Sequence, residues 1–183
     1  ANGLGAGLID FMTKAQLDPE TGEELPPFGV EGGTADDAIE PYKKIKGPGV
    51  EDNAIFLIKA NAPINTEAHA YVQTQLSSGK IKFLIDEGQA KVKLMSTKVG
   101  QQMDNDKRAE YLKPFTLTTI LREQMLNLVE ENEGVNIILK QSSKGIKKDK
   151  FSAFEYGLYY IKLDEDKKKK RKKRNIADMM LYT

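Results

Sequence analysis

The sequence predicts an α/β fold, and three observations lead there. Short apolar runs occur at residues 54–59 (AIFLIK), 81–85 and 135–139 (VNIIL), with the length expected of buried strands. Between and around them lie longer stretches whose apolar residues recur at helical spacing. The two kinds of segment alternate, as they do where helices pack on a sheet.

Taken in order, residues 4–16 predict an amphipathic helix, with Leu4, Leu8, Phe11 and Met12 at helical spacing. Residues 17–49 carry DPETGE, LPPFG, EGG and KGPG, and so predict an irregular excursion. Within it, Asp18, Glu20 and Gly22 share the opening of a calcium loop without its later ligands, which predicts a turn. After strand 54–59, Asn65 or Thr66 caps a helix that runs to about Ser78 and stops at Gly79. Strand 81–85 precedes a helix from Glu87 to about Met103, with Ala90, Leu94 and Val99 on roughly one side. Pro114 opens the next helix, which reaches Gly134 and turns Leu117, Leu121, Met125 and Leu128 to the core. Strand 135–139 follows, and a last helix runs from Asp149 to about Leu163. The expected organisation is one domain over residues 1–163 and a basic C-terminal tail over 164–183.

Composition removes several function classes. There is no cysteine, which excludes thiolate zinc sites, disulfides and a catalytic thiol. No apolar run reaches the roughly 20 residues of a membrane-spanning helix. The first residues lack the basic region of a signal peptide and also lack Met, so the chain reads as a processed or excised piece. No G-x-x-x-x-G-K-[ST] occurs, so the chain carries no P-loop motor. The run from Lys167 to Arg174 holds eight positive charges, and with a total of +1 the remainder carries −7. Such a run is either a solvated terminus or a contact for a polyanion.

The segment KGIKKDKFSAFEYGLYY holds the clearest candidate chemistry. A strand leads through a lysine-rich loop to Asp149, which opens an aromatic helix. Asp in that place is either a helix cap or a hard-cation ligand. Lys144, Lys147, Lys148 and Lys150 around it could hold phosphates beside such a ligand. Other motifs are weaker. GLGAG lacks the preceding strand of a dinucleotide loop, and Glu23 and Glu24 fall in turn-rich sequence. His69, the single histidine, reads as a structural residue in a helix. Ser142 and Ser143 have no placed base. Phe151, Phe154, Tyr156, Tyr159 and Tyr160 read as core.

Three segments together resemble the C-terminal nuclease region of tailed-phage large terminase subunits. They are NGLGAGLIDFM, LREQMLNL, and KKDKFSAFEYGLYYI followed by a basic stretch and MMLYT. The resemblance implies an RNase H-like nuclease fold lacking its N-terminal strands here. It implies an endonuclease, dependent on Mg²⁺ or Mn²⁺, that cuts concatemeric double-stranded DNA during genome packaging. Asp149 matches the last acidic metal ligand of that family and is the expected catalytic residue. The expected DNA contacts are the four loop lysines, Lys144, Lys147, Lys148 and Lys150. The tail adds Lys167, Lys168, Lys169, Lys170, Arg171, Lys172, Lys173 and Arg174. Another family carboxylate precedes a turn matched here by Asn2, Gly3, Leu4 and Gly5, so its counterpart is expected upstream of Ala1. Asp10, Asp36, Asp37 and Asp86 receive no metal role, and weak or no cleavage is expected of this chain by itself. The implied partners are double-stranded DNA, a portal and a small terminase subunit. ATP would act only through an N-terminal motor outside this chain. The implied setting is the cytoplasm of an infected bacterium, or of one carrying the gene in a prophage, with no membrane contact. The alternative is a non-catalytic DNA-binding or assembly module of the same machinery.

Overall fold

The computed structural model describes the backbone of residues 4–35, 40 and 53–180, and the side chains of residues 7–35, 40 and 55–170. These residues form a mixed α/β structure, 55% helical, in which each sheet has two strands. The chain divides into two compact units, residues 1–60 and 61–183.

In the first unit, α1 spans Leu4–Met12, within the predicted helix. It ends where the Thr13 N–H and hydroxyl both donate to the Ile9 carbonyl at 2.9 Å. β1 (Gln16–Leu17) and β2 (Glu24–Leu25) form a short antiparallel pair. Their turn is held by the Asp18 carboxylate, which accepts from the Glu20 N–H at 2.8 Å and the Thr21 N–H at 3.3 Å. Asp18 is thus a turn residue, as its sequence context predicts. β3 (Gly29–Gly33) lies parallel to β4 (Asn53–Leu57) with two register shifts. The described part of the excursion is therefore ordered by strand pairing. Asn2, Gly3, Asp36 and Asp37 lie outside the described residues.

The second unit begins with α2 (Ala62–Ser77). Its cap is Asn61, whose side chain accepts from the Ile64 N–H at 3.0 Å, rather than Asn65 or Thr66. Pro63 near the helix start fits this earlier beginning, because the donor it lacks has no helical partner there. The freed Thr66 hydroxyl instead accepts from the Ile137 N–H at 2.9 Å. Residues 81–85 have no regular secondary structure and join no sheet, which corrects the predicted strand. Their burial still alternates, and side chains anchor them: Phe83 packs on Phe154 at 5.9 Å, and Ile85 packs on the core.

The helix predicted over 87–103 is two helices, α3 (Glu87–Met95) and α4 (Lys98–Gln102). The break comes from Thr97, whose hydroxyl accepts from the Gly100 N–H at 3.0 Å and starts a new helix. α5 runs Asn105–Leu126, capped by Asp104, so Pro114 lies inside it rather than opening it. Ala90, Leu94 and Leu112 form a buried cluster joined by Ile85, Met103 and Phe115.

α5 also stops earlier than predicted. Residues assigned to its end form β5 (Leu128–Glu133), which pairs antiparallel with β6 (Asn136–Gln141). The hairpin turns on Gly134 and Val135, with Gly134 at φ +63°. A glycine with positive φ first in a two-residue turn matches the right-handed twist of the strands. α6 then spans Asp149–Met180. It carries the basic run as helix, past the predicted end near Leu163 and across the expected boundary between domain and tail. Ala68, Val72, Phe151 and Tyr159 are buried in this unit, where α2, β6 and α6 pack together.

Candidate nucleic-acid interface

Asp149 is the first residue of α6, and the loop leading to it starts where β6 ends. Two buried side chains of the α5 end shape this region. Asn127, the α5 cap, accepts from the Ser143 N–H at 2.9 Å and donates to the Ser143 carbonyl at 3.0 Å. Its own carbonyl accepts from the Ser142 N–H at 2.8 Å. Gln141 donates to the Ile146 carbonyl, and the Lys148 ammonium lies 3.4 Å from the Leu139 carbonyl. The loop is therefore tied to the hairpin at both ends.

The cap of α6 is not Asp149. The Gln124 side-chain oxygen accepts from the N–H of Lys150 at 2.9 Å and of Phe151 at 3.0 Å. These are two of the orphan donors that a helix start exposes. Asp149 sits one residue earlier, exposed, and among the described residues no side chain pairs with its carboxylate. Lys144, Lys147 and Lys148 are exposed around it, and Lys150 is half-buried. Lys144, Lys147 and Lys148 thus precede Asp149 in the loop, with the Lys148 ammonium turned to the Leu139 carbonyl, and Lys150 follows it as the second residue of α6.

The tail cations belong to the other end of the same helix. Lys168 pairs with Asp164 at 2.6 Å, and Lys169 with Glu165 at 3.8 Å and Asp166 at 3.5 Å. The Asp164 hydrogen bond holds the Lys168 ammonium above its ordinary pKa. Lys167 and Lys170 are exposed. Arg171, Lys172, Lys173 and Arg174 continue the helix, and their side chains lie outside the described set.

A polar seam between α2 and α6 escapes the sequence reading. His69 Nδ1 and Glu155 Oε1 form a pair whose side chains are only 12% and 4% exposed. Tyr156 donates to Asn65 and Tyr159 to Glu67, both at 2.9 Å. Glu67 also takes Lys162 as an ion-pair partner. The Lys162 hydrogen bond is the main reason the Glu67 carboxyl titrates below its ordinary value, with Tyr159 assisting. Burial raises the phenol of Tyr159, and its bond to Glu67 raises it further. The histidine is packed and structural, as its helix context suggests. Phe151 and Tyr159 are buried, in keeping with a core role for those aromatics.

Among the described residues no group of three or more His, Asp or Glu is placed to hold a metal ion. No helix of the described residues is long and apolar enough to cross a membrane. No protein-family model matches the chain, and neither a curated protein nor a solved structure matches it.

Proposed function

We propose that this chain is part of a metal-dependent endonuclease domain with an RNase H-like fold, acting on concatemeric double-stranded DNA during phage genome packaging. The supporting observation is Asp149, exposed at the head of α6 and unpaired among the described residues, with Lys144, Lys147, Lys148 and Lys150 within five positions of it in the chain. Its place in the helix needs no capping role from it, because Gln124 supplies the cap. A carboxylate left free beside cations suits a site where phosphate and a hard cation meet. On this reading the protein works in the cytoplasm of a bacterial host, alongside a portal and a small terminase subunit. An ATP-driven motor would be supplied outside these residues.

The described residues do not by themselves fit a Mg²⁺ or Mn²⁺ centre. Asp149 is a lone carboxylate, whereas two-metal hydrolysis shares its ions among several. Catalysis therefore requires further acids from outside the described residues, and no chemical step is assigned here. The same observation favours a second reading, a non-catalytic DNA-binding or assembly module. Plasmid nicking with Mn²⁺ separates the two. The chain alone is expected to nick weakly or not at all, and a parent protein that supplies the missing acids is expected to cut. Asp149→Asn should then remove cutting while the helical circular-dichroism signal stays unchanged. Robust cutting that survives Asp149→Asn would refute the site, and salt-sensitive binding without any cutting would establish the module.

A further inference from the structure

We propose that the outward face of α6 lies along a nucleic-acid duplex and holds its phosphates at both ends of the helix, about 27 Å apart along the helix axis. This inference rests on the reading of duplex DNA as partner and adds how the partner is seated.

The argument begins with helical phase. Phe151, Glu155 and Tyr159 are buried and define the inward side of α6. At about 100° per residue, Lys150, Ala153, Gly157, Tyr160, Asp164, Lys167 and Lys168 fall within one arc opposite that side, Tyr160 being half-buried there. Their exposure agrees: Ala153, Gly157, Lys167 and Lys168 are exposed, and Lys150 and Asp164 are half-buried. Asp149 shares this arc, so the free carboxylate faces the same way as the cations.

Charge is distributed along the arc in a particular order. Lys150, with Lys144 and Lys147 in the adjoining loop, makes the first cationic end. Ala153 and Gly157 follow without charge, and a Cβ added at Gly157 would meet nothing within 4 Å. Asp164 is the second acid on this arc, after Asp149, and it is engaged by Lys168 at 2.6 Å. Lys167 and Lys168 make the second end. Lys150 and Lys168 are separated by five helical turns, or about 27 Å. At 3.4 Å per base pair this corresponds to about eight base pairs of duplex. A rigid rod bearing cations at that separation matches another rigid rod bearing phosphates throughout.

The experiment measures affinity for DNA hairpins with stems of about 6 and about 16 base pairs, since only the longer stem can span both ends. One variant of the 183-residue chain carries Lys144→Gln, Lys147→Gln and Lys150→Gln. Another carries Lys167→Gln and Lys168→Gln. Joining two weak contacts on one rigid ligand multiplies affinity by roughly 100-fold or more. Each variant should therefore lose roughly 10- to 100-fold affinity for the long stem and under about 3-fold for the short one, which either end can hold alone. The slope of log K against log salt on the long stem should also flatten, by up to about 2.7 in the first variant and about 1.8 in the second, at about 0.9 per lost phosphate contact. Circular dichroism checks that α6 remains helical in both. Equal losses on the two stems would overturn the spanning arrangement while leaving DNA as partner. No loss on either stem from either variant would overturn these cations as DNA contacts, and the spanning arrangement with them.

Discussion

At the residue scale, the first turn of α6 has two donors satisfied by Gln124, which is buried. Removing that amide strands both N–H groups, so Gln124→Ala should cost about 2 kcal/mol in urea unfolding. Asp149→Asn should cost less than about 1 kcal/mol, because it loses only a favourable charge near the helix start. Reversed magnitudes would make Asp149 a structural residue. The His69–Glu155 pair belongs to the same scale. Glu155→Ala leaves a nearly buried histidine without its partner, and about 3 kcal/mol of stability should go with it. Glu67 behaves differently, being about half exposed, and Glu67→Gln should cost under about 1 kcal/mol. Its carboxyl titrates below 4.5, so its contribution is complete above that value and is lost as pH falls through the lowered folded value. Lys162 titrates above 10.5, so its contribution is complete below that value and disappears as pH rises past the raised one. A Glu67 carboxyl chemical-shift titration centred at or above 4.5 would contradict the bond to Lys162. Asp149 was legible in sequence because strand, loop and helix start are local signals. Gln124 and Glu155 were not, since their partners lie 27 and 86 residues away in the chain.

At the element scale, the sequence reads most clearly where periodicity and punctuation agree. α2 ends just before Gly79, and β6 falls where VNIIL predicts a strand. The reading goes astray where a local rule yields to packing. The rule that an internal proline loses a hydrogen bond predicts Pro114 as a helix opener. In α5 it is flanked by Leu112 and Phe115, which pack into the core and offset that loss. LVEENE continues a helical pattern in composition, yet it becomes β5 because Gly134 lets the chain fold back on VNIIL. The break that Thr97 makes between α3 and α4 brings the two helices close. A Cβ on Gly100 would come within 2.7 Å of the Leu94 carbonyl carbon and 2.9 Å of its Cγ, so the two helices approach too closely for any side chain there. Because the obstacle is largely backbone, Gly100→Ala should destabilise the second unit by about 2 kcal/mol or more, read by denaturant midpoint. A neutral substitution would show that the turn at Ser96 and Thr97 can open at little cost.

At the scale of the whole molecule, charge is partitioned between the two units. Residues 1–60 carry −6 and residues 61–183 carry +7, the run Lys167–Arg174 supplying +8 and the rest of that unit −1. Removing everything after Asp166 leaves a net charge of −6, because Asp178 departs with the eight cations. A polyanion that approaches the intact chain is drawn to the C-terminal half of α6, whereas one that approaches the truncated chain meets net repulsion. The acids at 164–166 engage Lys168 and Lys169, so only part of the run is available for phosphate. If about half of its charges engage, truncation should flatten the salt slope of duplex binding by roughly 3 to 4 units. The association rate should fall more at low salt than at high salt, since screening removes the long-range term. Denaturant stability should change little, because the lost segment is charged and adjacent like charges on a helix repel. Stopped-flow binding across a salt series, with the intact and truncated chains, supplies both readouts. A slope that stays the same after truncation would leave the basic half of α6 as a solvated helix. A loss confined to one DNA sequence would require base contacts that a sequence-independent phosphate mechanism does not contain.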